Sequence, residues 1–227
     1  MRDDAPTATA TIVDLTHDGV GVADLDGRRI FVADALPGER VEIALRKRRR
    51  KMQEADLVRV LEPSPARIQP RCEYFGRCGG CALQHLTHAA QVELKQGVVA
   101  EALKRIGGVE PQEWLPPVMS EPWNYRRRAR LGVKYVTAKN RVLVGFRERA
   151  GPYITDMQSC PVLMPPVDGL LGELAELIEK SSVRDRLPQI EVAVADDAVA
   201  LVFRVLADPS AGDTEAFRAF GARFGLD

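Results

Sequence analysis

Between residues 8 and 61, apolar and polar positions alternate with a period of two in five short runs, 8–15, 20–25, 28–33, 39–46 and 53–61. That period puts successive side chains on opposite faces of an extended chain, so the runs read as β-strands. Asp26-Gly27 and Pro37-Gly38 supply turns between them. Five short strands make a poor flat sheet with two open edges, and closure into a small OB-like barrel removes those edges. From 89 to 106 the period lengthens: Val92, Val99, Leu103 and Ile106 follow helical spacing and Gly107-Gly108 ends the run. An apolar stripe of this kind needs a surface to dock on. After a proline-rich irregular stretch the period of two returns, with Ala129, Leu131, Val133 and Tyr135 on one face and Arg126, Arg128, Arg130 and Lys134 on the other, followed by a returning strand over 142–147. Leu170, Leu171, Leu174, Leu177 and Ile178 form a helical stripe, 190–195 and 198–205 a hairpin, and 214–224 a last helix. The fold class is therefore mixed: a small β-barrel, then an α+β layer.

Charge sharpens this picture. The formal net charge is zero, but residues 1–150 carry 26 Lys and Arg against 19 Asp and Glu, while 151–227 carry 6 against 13. Much of the cationic excess lies in two runs, Arg46-Lys47-Arg48-Arg49-Arg50-Lys51 and the Arg-rich strand from Arg126 to Arg130. The ordinary reading of a charge run is a solvated face. A small barrel with a cationic hairpin, together with a cationic ladder on a sheet, points instead to a polyanion, and Tyr125 offers a flat ring for a base. No leader-like apolar segment opens the chain and no run approaches membrane-spanning length, so the expectation is a cytoplasmic protein with reduced thiols and no membrane partner.

The thiols carry the candidate chemistry. Of four cysteines, three sit in one loop, Cys72-Glu-Tyr-Phe-Gly-Arg-Cys78-Gly-Gly-Cys81, and the fourth stands at Cys160-Pro161. Intervals of five and two residues let one loop wrap three sulfurs around a common centre, and Gly76, Gly79 and Gly80 permit the left-handed turns such wrapping needs. A proline directly after the distant cysteine has the form of the ending of bacterial iron–sulfur runs, which favours a [4Fe–4S] cluster on Cys72, Cys78, Cys81 and Cys160. Zinc in a four-cysteine site is the rival, since Cys78-x2-Cys81 is a fair zinc knuckle; four unconnected cysteines are the bland reading.

Several segments together resemble one family. Thr11-Ile-Val-Asp-Leu-Thr-His-Asp-Gly-Val-Gly-Val-Ala23, with Asp26-Gly27 and the stretch from Phe31 to Val41, is similar to a TRAM domain. Cys72-x5-Cys78-Gly-Gly-Cys81-x2-Gln84-His85, Trp123-Asn-Tyr-Arg-Arg-Arg-Ala-Arg130 and Asp156-Met-Gln-Ser-Cys-Pro161 resemble the iron–sulfur-containing RNA uracil-C5 methyltransferases, most closely those of bacterial 23S ribosomal RNA. The resemblance implies a cluster on the four cysteines, rRNA bound by the barrel and the Arg-rich strand, and methylation of uracil that depends on S-adenosylmethionine.

On this reading the chain divides into a TRAM barrel over 1–62, a linker over 63–71, the iron–sulfur loop over 72–88, a helix and loop over 89–116 expected to pack on a catalytic domain that is missing, and an incomplete α+β RNA-binding domain over 117–227. Pyrimidine C5 is a poor nucleophile, and its methylation needs a thiolate added at C6 and a base to remove the C5 proton. With all four cysteines given to metal, and no Gly-rich turn within βα units, the expectation is that no catalytic residue is present and that a Rossmann-like catalytic domain is absent, leaving the RNA-recognising portion of a longer enzyme. The expected partner is 23S rRNA and the expected state a monomer. A free-standing RNA-binding module with a structural cluster is the alternative; a redox protein ranks below both.

Overall fold

The computed structural model describes residues 6–46 and 53–226. They fall into two compact units, one made of residues 1–70 and 82–118, the other of 71–81 and 119–227. No helix among the described residues is long and apolar enough to cross a membrane.

In the first unit β1 (Thr7–Leu15), β2 (Val20–Leu25), β3 (Arg28–Ala33), β4 (Arg40–Leu45) and β5 (Gln53–Glu62) close into a barrel in the order β1-β2-β3-β5-β4. These bounds follow the sequence pattern within a residue or two. The β2–β3 turn is tight because Asp26 and Gly27 both adopt positive φ, as a two-residue turn matched to strand twist requires. Ile12, Ala23, Ile30, Val32, Val41 and Ile43 fill the barrel.

A buried ion pair staples the barrel to the segment that leaves it. Glu39 is fully buried, and its carboxylate accepts from the Leu36 N–H (2.8 Å) and the Ser64 N–H (3.2 Å). Arg67 then donates to both carboxylate oxygens, Nε at 2.5 Å and Nη2 at 2.8 Å, and also bonds the Asp34 carbonyl at 2.7 Å. Burial by itself would push the Glu39 carboxyl up, but the guanidinium and the two N–H donors outweigh it and hold the group below its ordinary value.

The helix α1 (His88–Ala102), capped by the Thr87 hydroxyl, runs into a wider turn over Leu103–Gly107. Its stripe differs from the expected one. Ala90 and Leu94 are the residues that pack against the buried Leu15, Leu36 and Leu86, whereas Val99 and Ile106 are exposed.

In the second unit β6 (Arg128–Val136), β7 (Arg141–Gly145), β8 (Gln189–Val194) and β9 (Val199–Arg204) form an antiparallel sheet in the order β7-β6-β8-β9. One face, with Leu131, Val133, Val142 and Val144, packs with Leu171, Leu174 and Ile178 of α2 (Leu171–Glu179). Phe203 of β9 stacks on Phe217 of α3 (Ala211–Phe224) with ring centroids 4.7 Å apart. The other face is crossed by the segment that follows β7, which doubles back through the Arg147–Ile154 bridge and the Glu148–Tyr153 hydrogen bond of 2.9 Å. This strap lies close because two paired glycines, Gly132 and Gly145, sit beneath it: a Cβ on Gly132 would stand 2.3 Å from Ile154 Cδ1, and one on Gly145 would stand 2.4 Å from the Thr155 carbonyl oxygen.

The start of α3 carries a capping box. Ser210 Oγ accepts from the Asp213 N–H at 3.1 Å, and the Asp213 carboxylate takes the Ser210 N–H at 2.9 Å and the Ser182 hydroxyl at 2.5 Å. The Ser182 hydroxyl first, then Ser210, bring the Asp213 carboxyl down to about 2. A depressed carboxyl stabilises the fold above its unfolded value, about 3.9, and loses that contribution as pH falls through the folded one. The stability difference between the wild type and Asp213→Asn should therefore be constant at neutral pH and shrink between about pH 4 and pH 2, as chemical denaturation across that range would reveal.

Candidate functional site

The cysteine loop is built from turns. Within it the Phe75 N–H bonds the Cys72 carbonyl (3.1 Å) and the Cys78 N–H bonds the Tyr74 carbonyl (2.8 Å), with Gly76 at φ +87° making the reversal. Gly79 and Gly80 differ from the expected left-handed turns. Gly79 is needed for close approach, since its N–H bonds the Arg147 carbonyl at 2.9 Å and a Cβ there would stand 3.0 Å from that same oxygen. The loop is thereby bridged to the strap at Cys78 and Glu148, reinforced by the Arg149 N–H on the Arg77 carbonyl (2.9 Å) and by an Arg77–Glu148 ion pair (2.6 Å). Tyr74 anchors it at the far side, its phenolic oxygen accepting from the Gln158 N–H at 3.1 Å, two residues before Cys160.

All four cysteines lie in this second unit and none forms a disulfide; Cys78 and Cys160 are buried, Cys72 and Cys81 half-buried. Burial pushes the thiols of Cys72, Cys78 and Cys160 up, and a charge on one opposes a charge on the next: Cys72 responds to Cys78 and Cys81, Cys160 to Cys81 and Cys72. Backbone N–H groups act in the opposite sense, from Tyr74 on Cys72, from Gly80 on Cys78 (3.4 Å) and from Val162 and Leu163 on Cys160. Mutually sensitive buried thiols with N–H donors aimed at sulfur are a donor set that ionises readily against a bound cation and stays protonated without one. The residues present thus fit a thiolate-bound inorganic group, although among the described residues no three His, Cys, Asp or Glu side chains converge on a single-ion position.

One buried polar atom near this loop has no hydrogen-bond partner, the Thr155 hydroxyl. Leaving such a group unpaired costs roughly 1–3 kcal/mol. Thr155 carried no signal in the sequence, because nothing in a lone threonine of the strap tells which way it faces.

Beside the loop, the outer face of the sheet and the strap enclose a cleft of about 810 Å³ lined by Arg130, Lys134, Arg147, Arg149, Tyr153 and the Gly79-Gly80 backbone, among others. Four cations line it, and the one lining carboxylate, Glu148, is already paired with Arg77. The alternation along β6 places Arg128, Arg130 and Lys134 outward, as the pattern implied. Arg126 departs from that ladder. It precedes β6, where Arg126 and Asn124 bond the chain around Cys160 through the Val162 and Pro161 carbonyls, and its guanidinium turns to the Gly80 carbonyl (3.3 Å) and over the Phe146 ring (5.6 Å). The returning strand likewise ends at Gly145, earlier than expected, so that Arg147 belongs to the strap. Tyr125 is half exposed, and Tyr153, which sequence reasoning passed over, is more exposed still. On the barrel, Arg46 is held by Asp56 and Glu54 of β5; Lys47, Arg48, Arg49, Arg50 and Lys51 lie outside the described residues.

Comparison with known proteins places these features in context. Residues 9–66 match the model of the TRAM domain of tRNA (uracil(54)-C(5))-methyltransferase. The chain is 52% identical over 215 residues to the 23S rRNA (uracil(1939)-C(5))-methyltransferase RlmD of Alkalilimnicola ehrlichii, covering 95% of this chain and 48% of that protein. It is 50% identical to the protein of the same name from Nitrosococcus oceani, covering 93% of this chain and 48% of the relative. The crystal structure of Pyrococcus abyssi tRNA (uracil-54, C5)-methyltransferase in complex with S-adenosyl-L-homocysteine superposes with a TM-score of 0.63 and 25% identity over 92% of this chain and 48% of that one. The chain spans about half the length of the curated relatives it matches. These alignments overturn the expectation of a recognition portion from which the catalytic domain is absent: matches to methyltransferases take in 92–95% of the chain, so the similarity to methyltransferases runs nearly throughout it. Along almost its whole length, in sequence and in fold, this chain is similar to the uracil-C5 methyltransferases of RNA.

Proposed function

We propose that this chain serves methyl transfer from S-adenosylmethionine to C5 of a uracil in 23S rRNA, as a monomer that carries a [4Fe–4S] cluster on Cys72, Cys78, Cys81 and Cys160. The observation that carries the reading is the identity of about half of all positions, along more than nine tenths of the chain, to proteins named for that reaction. The methyl donor is supported by the S-adenosyl-L-homocysteine in the solved relative. The cluster is supported by the grouping of four thiols with N–H donors on their sulfurs. When bound, it would neutralise those thiolates and tie the cysteine loop to the segment at Cys160.

The RNA is read onto the barrel, including Arg46 and the run 47–51, and onto the cleft beside the cysteine loop. Arg128, Arg130 and Lys134 offer cations for phosphates, Tyr125 and Tyr153 offer ring faces for unpaired bases, and Arg126 shapes the wall by holding the Gly80 carbonyl.

Disrupting the gene in its host should remove one 5-methyluridine from 23S rRNA, read by nuclease digestion and mass spectrometry; an unchanged modification pattern would overturn the activity. Anaerobically prepared protein should be brown and hold iron and sulfide, and a colourless zinc protein would overturn the cluster. Replacing Arg130 and Lys134 together with alanine should weaken RNA binding similarly for all sequences and reduce the salt slope by roughly one for each phosphate no longer neutralised. An unaltered slope in fluorescence anisotropy would leave that face merely solvated.

A further inference from the structure

We propose that the cleft on the outer face of the second sheet seats one unpaired nucleotide extruded from the RNA, its base stacked on Tyr153 and its edge bonded by the Gln189 amide. The inference rests on the reading of the cleft given above and narrows it, from a surface for a polyanion to a pocket that tells an unpaired nucleotide from a duplex.

The lining of the cleft is of two kinds. Arg130, Lys134 and Tyr153 are exposed and form a rim, whereas Leu143 is buried and Phe146 and Ile154 are half-buried beneath it. A cationic rim over an apolar floor suits a ligand with an anionic end and a flat, apolar body. Phosphate alone satisfies the rim and leaves the floor uncovered. A duplex does the same, because its base faces are stacked inside the helix. An extruded nucleotide brings both parts, and a volume of about 810 Å³ is in the range of pockets that enclose a small ligand.

Tyr153 is held as a platform. The strap reverses over 149–152, and a Cβ on Gly151 would stand 3.2 Å from Tyr153 Cδ2, so the ring rests against bare backbone. The Tyr153 carbonyl takes the Glu148 N–H at 2.9 Å and the next residue, Ile154, bridges Arg147, which fixes the backbone around the ring. Even so, Tyr153 is 70% exposed. A ring backed on one side and open on the other is a stacking surface already in place, with little ordering left to do on binding.

Gln189 supplies the polar edge. It pairs with Gly132 across β6 and β8, and Gly132 is the glycine that Ile154 covers, so the amide stands beside the strap next to Tyr153. Its Nε2 gives one hydrogen to Glu191 Oε1 at 3.1 Å, which leaves the second hydrogen and the amide oxygen for the edge of a base.

The test uses the full chain and three RNA hairpins of identical stem: one fully paired, one with a single bulged adenosine, and one with that bulge made abasic. By fluorescence anisotropy the bulged adenosine should be bound roughly 10-fold more tightly than the other two, the worth of stacking one base. Tyr153→Ala should abolish that margin, Gln189→Leu should narrow it and Tyr153→Phe should keep it. All three variants should bind the fully paired hairpin as the wild type does, which also shows that they are folded. With 2-aminopurine in place of the bulged base, fluorescence should be quenched on binding to the wild type; if Tyr153→Ala fails to fold, this quenching decides, and its absence overturns the inference. A wild type without the margin overturns it, as does a margin that survives Tyr153→Ala or is undiminished in Gln189→Leu, and in each case the cationic reading of the cleft still stands. Wild type that binds none of the three hairpins overturns that reading and the inference together.

Discussion

Glu39→Ala is expected to cost roughly 3–5 kcal/mol, the effect of breaking one side of a buried, doubly bonded ion pair. The substitution leaves the Arg67 guanidinium facing a cavity and orphans the Leu36 and Ser64 N–H groups. Chemical denaturation of the wild type and the variant would read the loss directly. A double variant, Glu39→Leu with Arg67→Met, removes both charges and should recover much of it, falling short by the two unpaired N–H groups and the Arg67 bond lost at the Asp34 carbonyl. The effect carries a pH signature. Because the folded Glu39 carboxyl lies below its ordinary value, its stabilisation is present in full above the unfolded value of about 4.3 and is lost as pH falls through the folded one. A loss below 1 kcal/mol at neutral pH, well under the usual range for such a pair, would mean that the staple is dispensable.

Gly145→Ala should be the more damaging of two glycine substitutions under the strap. The added methyl would stand 2.4 Å from a backbone oxygen, that of Thr155, with Met157 at 3.1 Å, so the strap must lift. Overpacking of this kind costs about 1–3 kcal/mol or more. Gly132→Ala meets only the far end of the Ile154 side chain, which can rotate away, and should cost less. Lifting the strap also pulls on the Cys78–Glu148 bridge and opens the cleft, so Gly145→Ala should speed hydrogen exchange at the Thr155 amide and, on the proposed reading of the cleft, weaken RNA affinity, whereas Gly132→Ala should spare both. Equal melting temperatures for the two variants would contradict this account.

The barrel and the sheet were legible in the sequence because their signals are local. Alternation along 8–61 and along 128–136 repeats every two residues, and Asp26-Gly27 announces its own turn. The grouping of the cysteines was legible for a similar reason, three of them falling within one short loop. What escaped depends on layers that sequence does not index. Glu39 reads as one more turn residue after Pro37-Gly38, and its partner Arg67 is 28 residues away on a segment that looks like plain linker. Gly145 reads as a strand residue, yet its lack of a side chain serves the strap that crosses above it. Arg126 continues the two-residue alternation by sequence alone, but pairing with the chain after Cys160 takes it out of the strand and into the wall of the loop. In α1 the apolar spacing suggested one stripe, while the small Ala90 and the single Leu94 pack against the buried leucines.

The chain order of the four sulfurs has a consequence for biogenesis. Three arrive within one short loop, but the last follows 79 residues later and reaches them only when the strap, the sheet and the Asp168 carbonyl that takes the Cys160 N–H (2.7 Å) are assembled. Closing so long an excursion is a late event on the way to the native state. On the proposed cluster, iron and sulfide supplied during refolding should therefore be incorporated no earlier than the recovery of tertiary near-ultraviolet signal, so loading would wait on the polypeptide rather than guide it.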